Sequence, residues 1–191
     1  STSELLMVVC VDVSSSMDSQ CGPSSRLDVA KQAFCTAAAQ TARRDPQALY
    51  GVVAFNTQAH AVAQPVVVGT NTERICTAIQ SLTADGGTRL DRGLAAAGAM
   101  FRRHPERTAT SVLILTDGHS WGEVEEEALS LKRQGVQVFV TGVGDHPSDV
   151  NEPLLRSIAS VIDGQSAYAF VTNMLGVRST VLMHTQMASR Y

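Results

Sequence analysis

The hydrophobic positions of this chain fall into short, dense runs separated by longer stretches of mixed character. ELLMVVCVD, from Glu4 to Asp12, is apolar at nearly every position, without alternation. Such a run suits a central parallel strand covered on both faces. YGVVAFN (Tyr50 to Asn56), SVLILTDG (Ser111 to Gly118), VQVFVTGVG (Val136 to Gly144) and the segment Ser166 to Val171 read the same way. AHAVAQPVVV alternates in part and follows Tyr50 to Asn56 after only Thr57-Gln58. The short connection predicts an antiparallel hairpin, and Pro65 suits an edge strand.

Helical periodicity fills the intervals. Leu27, Ala30, Phe34, Ala37 and Ala38 form a stripe behind Ser25, with Asp28 in a capping-box-like position and Asp45-Pro46 as the stop. Asn71 to Leu82 predicts a short helix. Leu90, Leu94, Ala97 and Phe101 mark another, stopped by His104-Pro105. Ser120 and Glu123 read as a capping box for a helix through Arg133, acidic early and basic late, with Gly135 ending it. Pro153 opens a short helix to about Ser160, and Asn173 caps the last one. Strands alternating with helices predict an α/β fold: a doubly wound, mostly parallel sheet with helices on both faces and one antiparallel edge strand.

Composition narrows the class. A chain of 191 residues that is 44% hydrophobic can bury one sizeable core, so residues 1–191 are expected to form a single domain, alone or as a piece of a longer protein. The net charge of −3 and the scattered basic residues do not favour nucleic-acid binding. No apolar run is long enough to cross a bilayer, and Ser1 does not open a signal peptide. Cys10, Cys21, Cys35 and Cys76 form no CxxC pair and read as small buried hydrophobes, with a Cys21 disulfide conceivable only after export. The sequence holds no N-x-S/T glycosylation acceptor. Together these features lean towards a cytoplasmic bacterial module, or an extracellular one if the chain belongs to a longer protein.

The chemistry gathers at the strand ends. The first strand ends on Asp12, followed by Ser14 and Ser16. The strand from Ser111 ends on Asp117-Gly118, and Thr88 follows Gly86-Gly87 just before a helix. In open α/β sheets the ligand crevice lies beyond the carboxyl ends of the strands, where strand order reverses. All five groups offer oxygen and none offers sulfur or imidazole. That set suits a hard divalent cation, Mg²⁺ first, with Mn²⁺ and Ca²⁺ as alternatives. Two carboxylates and three neutral hydroxyls leave such an ion incompletely satisfied, so it would take an Asp or Glu carboxylate from a partner protein. No general base sits in the motif, which argues against an enzyme.

DVSSSM, the GGT at Gly86 to Thr88 and the TDG at Thr116 to Gly118 resemble the von Willebrand factor A domain family and its metal ion-dependent adhesion site. The resemblance runs from about Glu4 to Ala188. It implies a six-stranded, Rossmann-like sheet of order 3-2-1-4-5-6 with the third strand antiparallel, and a role as a divalent-cation-dependent protein-interaction module. It further implies that Ser14 and Ser16 contact the metal directly, that Thr88 does so directly or through water, and that Asp12 and Asp117 act mostly through water. Ser15 stands where glycine is frequent in the family, which removes no ligand. Asp18, Arg89, His119 and Trp121 flank the motif and would form a rim that selects the partner. Two other readings compete: a metal-dependent hydrolase and a structural scaffold with a vestigial metal site. The hydrolase reading lacks the second aspartate that phosphatases carry two residues after the first, because Ser14 stands there.

Overall fold

The computed structural model describes residues 3–190. Six strands form one sheet: β1 (Leu5–Asp12), β2 (Leu49–Phe55), β3 (Ala59–Val67), β4 (Ala109–Thr116), β5 (Gln137–Val143) and β6 (Tyr168–Val171). Their spatial order is β6-β5-β4-β1-β2-β3. This is the expected 3-2-1-4-5-6 arrangement read from the other edge. All neighbours are parallel except β2 and β3. The edge strand β3 slips register opposite Tyr50 and Val52, so that Gln64 and Pro65 bulge where proline's missing donor costs no ladder bond.

Helices cover both faces. β1 is buried along its whole length, and its side chains divide by parity, as the two-residue period of a strand requires. Leu5, Met7, Val9 and Val11 face one core, built with α1 (Arg26–Arg44), α2 (Val68–Gln80) and α6 (Met174–Ala188). Leu6, Val8 and Cys10 face the other, built with α3 (Leu90–Arg102), α4 (Val124–Arg133) and α5 (Glu152–Ile158). Each fully buried aliphatic or aromatic side chain contributes about 1.5–3 kcal/mol relative to exposure, so this central strand anchors both layers. Cys10 and Cys21 are buried as expected, whereas Cys35 and Cys76 are only half-buried, at the α1–α2 contact. No helix among the described residues is long and apolar enough to cross a membrane.

The caps match expectation at α1 and α6, where Ser25 accepts from the Asp28 amide and Asn173 from the Gly176 amide. Elsewhere the chain corrects the sequence pattern. α2 starts at Val68, three residues early, and kinks at Asn71 (φ −129°, ψ 15°), whose side-chain amide donates to the Val67 carbonyl. Ser120 does not cap α4. Its hydroxyl instead accepts from the Leu90 amide at 3.0 Å, serving α3, while the Glu123 amide at the head of α4 donates to Asp91 at 3.1 Å. α5 is capped by Asn151, with Pro153 inside its first turn. Gln165–Ser166 leave the main sheet to pair with Val161–Ile162 in a small ribbon, which shortens β6.

Candidate metal centre

β1 and β4 are adjacent and parallel, so their carboxyl ends open on the same side. The chain after β1 rises to one layer and the chain after β4 to the other, which leaves a crevice between their loops. Val11 pairs with Leu115, so Asp12 comes level with Thr116. The Thr116 hydroxyl donates to Asp12 Oδ2 at 2.8 Å, and the Ser14 amide donates to Oδ1 at 2.8 Å. The 3-10 turn Ser15–Asp18 then folds back over the strand end, pinned by buried Met17.

Main-chain bonds tie the loop after β1 and the loop after β2 to the loop that precedes α3. The Ser15 amide donates to the Gly86 carbonyl (3.0 Å), Asp85 to Val13 (2.8 Å) and Arg89 to Asn56 (2.7 Å). Gly86 has φ +78°, a left-handed conformation that glycine adopts without strain. The backbone approach expected before Thr88 is therefore present.

The five residues singled out as metal ligands converge on this crevice. Ser14 Oγ and Ser16 Oγ are 3.1 Å apart, and Ser16 Oγ donates to Asp117 Oδ1 at 2.7 Å. Thr88 Oγ1 lies 3.5 Å from the point where a Cβ on Gly118 would sit, beside Asp117. Asp12 and Asp117 are 0% and 3% exposed, which makes their charge expensive. Burial and the nearby charge of Asp117 push the Asp12 carboxyl up to about 6, although Ser14 and Thr116 bond to its charged form. Two buried carboxylates that repel one another, with hydroxyls turned to the same point, are the donor set of a hard cation, and these residues fit one. Among the described residues no group of three or more His, Cys, Asp or Glu forms a metal cluster. The candidate centre is distinct from such clusters because hydroxyls supply three of its five oxygens.

One partner of the site was not foreseen. Arg26, the first residue of α1, points its guanidinium into the crevice, and Nη1 donates to Asp117 Oδ2 at 3.0 Å. The signal was present in the sequence. A cation in the first turn of a helix opposes the helix dipole, so it needs an anion elsewhere.

The rim residues part company. Arg89 forks onto Asp91 (2.8 and 2.7 Å) and stacks on Trp121, with the guanidinium carbon 4.3 Å from the indole centroid. Arg89 holds the Asp91 carboxyl below its usual range. Trp121 is 59% exposed on this support. The next residue, Gly122 (φ +101°), leaves room for it: a Cβ there would lie 2.3 Å from Asp91 Oδ2. His119 is turned to the Ser148 carbonyl (2.9 Å), tying the loop after β4 to the loop after β5. Asp18 lies on the exposed turn Ser15–Asp18.

A β1 strand ending on Asp12, the hydroxyl loop after it and the reversed strand order define an α/β domain with an open oxygen-lined crevice. The family model described as von Willebrand factor type A domain matches residues 7–119, and the chain belongs to that family. Domains of this family mediate protein interactions. Similar solved structures include a von Willebrand factor type A protein from Catenulispora acidiphila (24% identity, TM-score 0.83), aligned over 98% of this chain and 43% of that one. BatB from Bacteroides thetaiotaomicron, a conserved hypothetical protein, aligns over 98% of this chain and 100% of its own (20% identity, TM-score 0.79). The PilB minor pilin from Streptococcus sanguinis aligns over 97% and 61% (16% identity, TM-score 0.73). These likenesses establish the fold. The chain spans less than half of the Catenulispora protein. No curated protein matches the sequence.

Proposed function

We propose that this domain is a divalent-cation-dependent protein-interaction module that binds an Asp or Glu of a partner through a metal held at the crevice. Ser14, Ser16 and Thr88 would contact the ion, with Asp12 and Asp117 behind them. The meeting of two buried carboxylates, Asp12 and Asp117, with the Ser14 and Ser16 hydroxyls carries the reading, because it marks a place where the fold gathers negative charge and oxygen donors that a cation would bind. Mg²⁺ suits the hard oxygen set best, with Mn²⁺ and Ca²⁺ as alternatives. We read no catalytic role: Ser14 and Ser16 are bonded to one another, and Ser16 gives its proton to Asp117, which suits ligand oxygens rather than an activated nucleophile.

Calorimetric titration tests the metal. The wild-type chain is expected to take up one Mn²⁺ or Mg²⁺, and Asp12→Ala and Ser14→Ala to lose it while keeping the fold. Unchanged affinity in both variants would remove the site. Partner capture in Mg²⁺ should vanish with chelator and with Asp12→Ala. Capture that survives both would favour the scaffold reading.

A further inference from the structure

Arg26 occupies an unusual place for a cation. It stands at the head of α1, where the helix dipole disfavours positive charge, and its side chain is only 10% exposed. Its amide is tied to the Ser19 carbonyl at 2.8 Å, which fixes the start of the helix over the loop after β1. Nη1 donates to Asp117 Oδ2 at 3.0 Å, and the other oxygen of Asp117 is taken by Ser16. Nη2 lies 3.8 Å from Asp145, whose side chain is 79% exposed and solvent-screened. Asp117 is thus the one buried anion this guanidinium touches. Asp12 receives only neutral donors: Ser14, Thr116 and the Asp117 amide.

We propose that Arg26 is an internal counter-cation of the metal centre. It holds Asp117 in the metal-free site, competes with the divalent ion for that carboxylate, and leaves the loaded site with surplus positive charge that recruits an anionic ligand. The inference rests on the metal reading above and deepens it. Without metal, two buried carboxylates face one guanidinium, a net single negative charge. With a divalent ion the same groups carry a net single positive charge. A site built from the carboxylates alone would be neutral once loaded and would attract a partner's carboxylate less strongly. Arg26 therefore makes metal binding weaker and ligand binding stronger, two effects of opposite sign from one side chain.

Opposite signs separate this role from a merely structural one. Mn²⁺ alone is titrated into wild type, Arg26→Gln and Arg26→Lys, and acetate is then titrated into the Mn²⁺-loaded proteins. Arg26→Gln should bind Mn²⁺ about tenfold more tightly, the size of a unit charge acting on a divalent ion across a few ångströms of water-like dielectric. Its acetate affinity should fall severalfold. Arg26→Lys, which keeps the charge, should stay within about threefold of wild type for both. If Arg26→Gln is unstable without metal, the rise in Tm on adding Mn²⁺ gives the same ranking, larger than in wild type. Mn²⁺ affinity that is unchanged or weaker in a folded Arg26→Gln overturns the proposal. So does a glutamine variant that stays unfolded in Mn²⁺, since the ion then cannot stand in for the guanidinium. Absence of Mn²⁺ binding in wild type and both variants instead overturns the metal reading, and this inference with it.

Discussion

Asp12 and Asp117 look alike in the sequence. Each ends an apolar strand, each is buried, and their strands are neighbours. Their surroundings differ. Asp12 is held by a hydroxyl and two amides, all neutral, and its carboxyl is pushed up to about 6. Asp117 is held by a hydroxyl and a guanidinium. One strand end leaves its charge uncompensated and the other matches it. The lesson is that two equivalent strand ends can divide the work: under the proposed function one would supply the unmet charge that draws a cation, and the other connects the site to the helix layer through Arg26.

The largest expected effect tests the compensated side. Asp117→Ala strands Arg26 in a crevice where, among the described residues, the exposed Asp145 and the half-buried Asp149 remain near it. Removing one partner of a buried pair typically costs about 3–5 kcal/mol, which urea unfolding would register. A loss below about 1 kcal/mol would mean that these two carboxylates satisfy Arg26, and the two strand ends would then be equivalent.

pH tests the uncompensated side. The Asp12 carboxyl has a folded value near 6 against an ordinary 3.8, so between those values the folded state holds more protons than the unfolded one. Its contribution to metal-free stability therefore falls as pH rises from about 4 to 6. His184, buried against Phe139 and lowered by burial to about 4 from 6.5, acts oppositely: stability rises over about pH 4 to 6.5. The two slopes offset one another in the wild type. His184→Leu should expose the Asp12 slope, on the order of 2 kcal/mol across the window, and Asp12→Asn should expose the His184 slope. Thermal melts at pH 4.5 and 7 in the absence of metal measure both. A flat profile in His184→Leu would show that Asp12 carries no unmet charge.

Ser16→Ala removes the hydroxyl that bonds to Asp117 alongside Arg26, for about 1 kcal/mol in thermal or chemical unfolding. Arg26 remains in place, so the cost should stay well below that of Asp117→Ala. The smallest effect is expected at the rim. Trp121→Ala removes an exposed ring from a guanidinium that Asp91 already holds, and stability should move by less than about 0.5 kcal/mol. Under the proposed function, partner affinity should fall in that variant while Mn²⁺ affinity stays unchanged. A change in both would place Trp121 in the metal site itself.

The sheet and the convergence of Asp12, Ser14, Ser16, Thr88 and Asp117 on one crevice were legible because both follow from local pattern. Unbroken apolar runs mark buried strands, and parallel neighbours bring their carboxyl ends together. The hairpin and its proline edge were legible for the same reason. What the sequence hid depends on contacts between distant segments. Ser120 and Glu123 have capping-box spacing, but Ser120 bonds to Leu90 and the Glu123 amide to Asp91, so the loop serves two helices at once. Arg26 was hidden by the 91 residues that separate it from Asp117. Only its unfavourable place on the dipole hinted at a buried anion. The helix expected from Asn71 starts at Val68 because the Asn71 side chain bridges a kink by donating to the Val67 carbonyl, a contact that no periodicity shows.

The three main-chain bonds that tie the loops after β1 and β2 to the loop before α3 involve no side chain of the candidate ligands: Ser15 to Gly86, Asp85 to Val13 and Arg89 to Asn56. On that side of the crevice the frame is thus written in backbone, and the Ser14, Ser16 and Thr88 hydroxyls are inserts in it. Descendants of this chain could exchange or discard those inserts one at a time without closing the crevice. An adhesive site, a differently charged one and a silent one are neighbours by single substitutions on the same frame. That closeness gives a physical route by which one fold can spread across many partners while its architecture stays still.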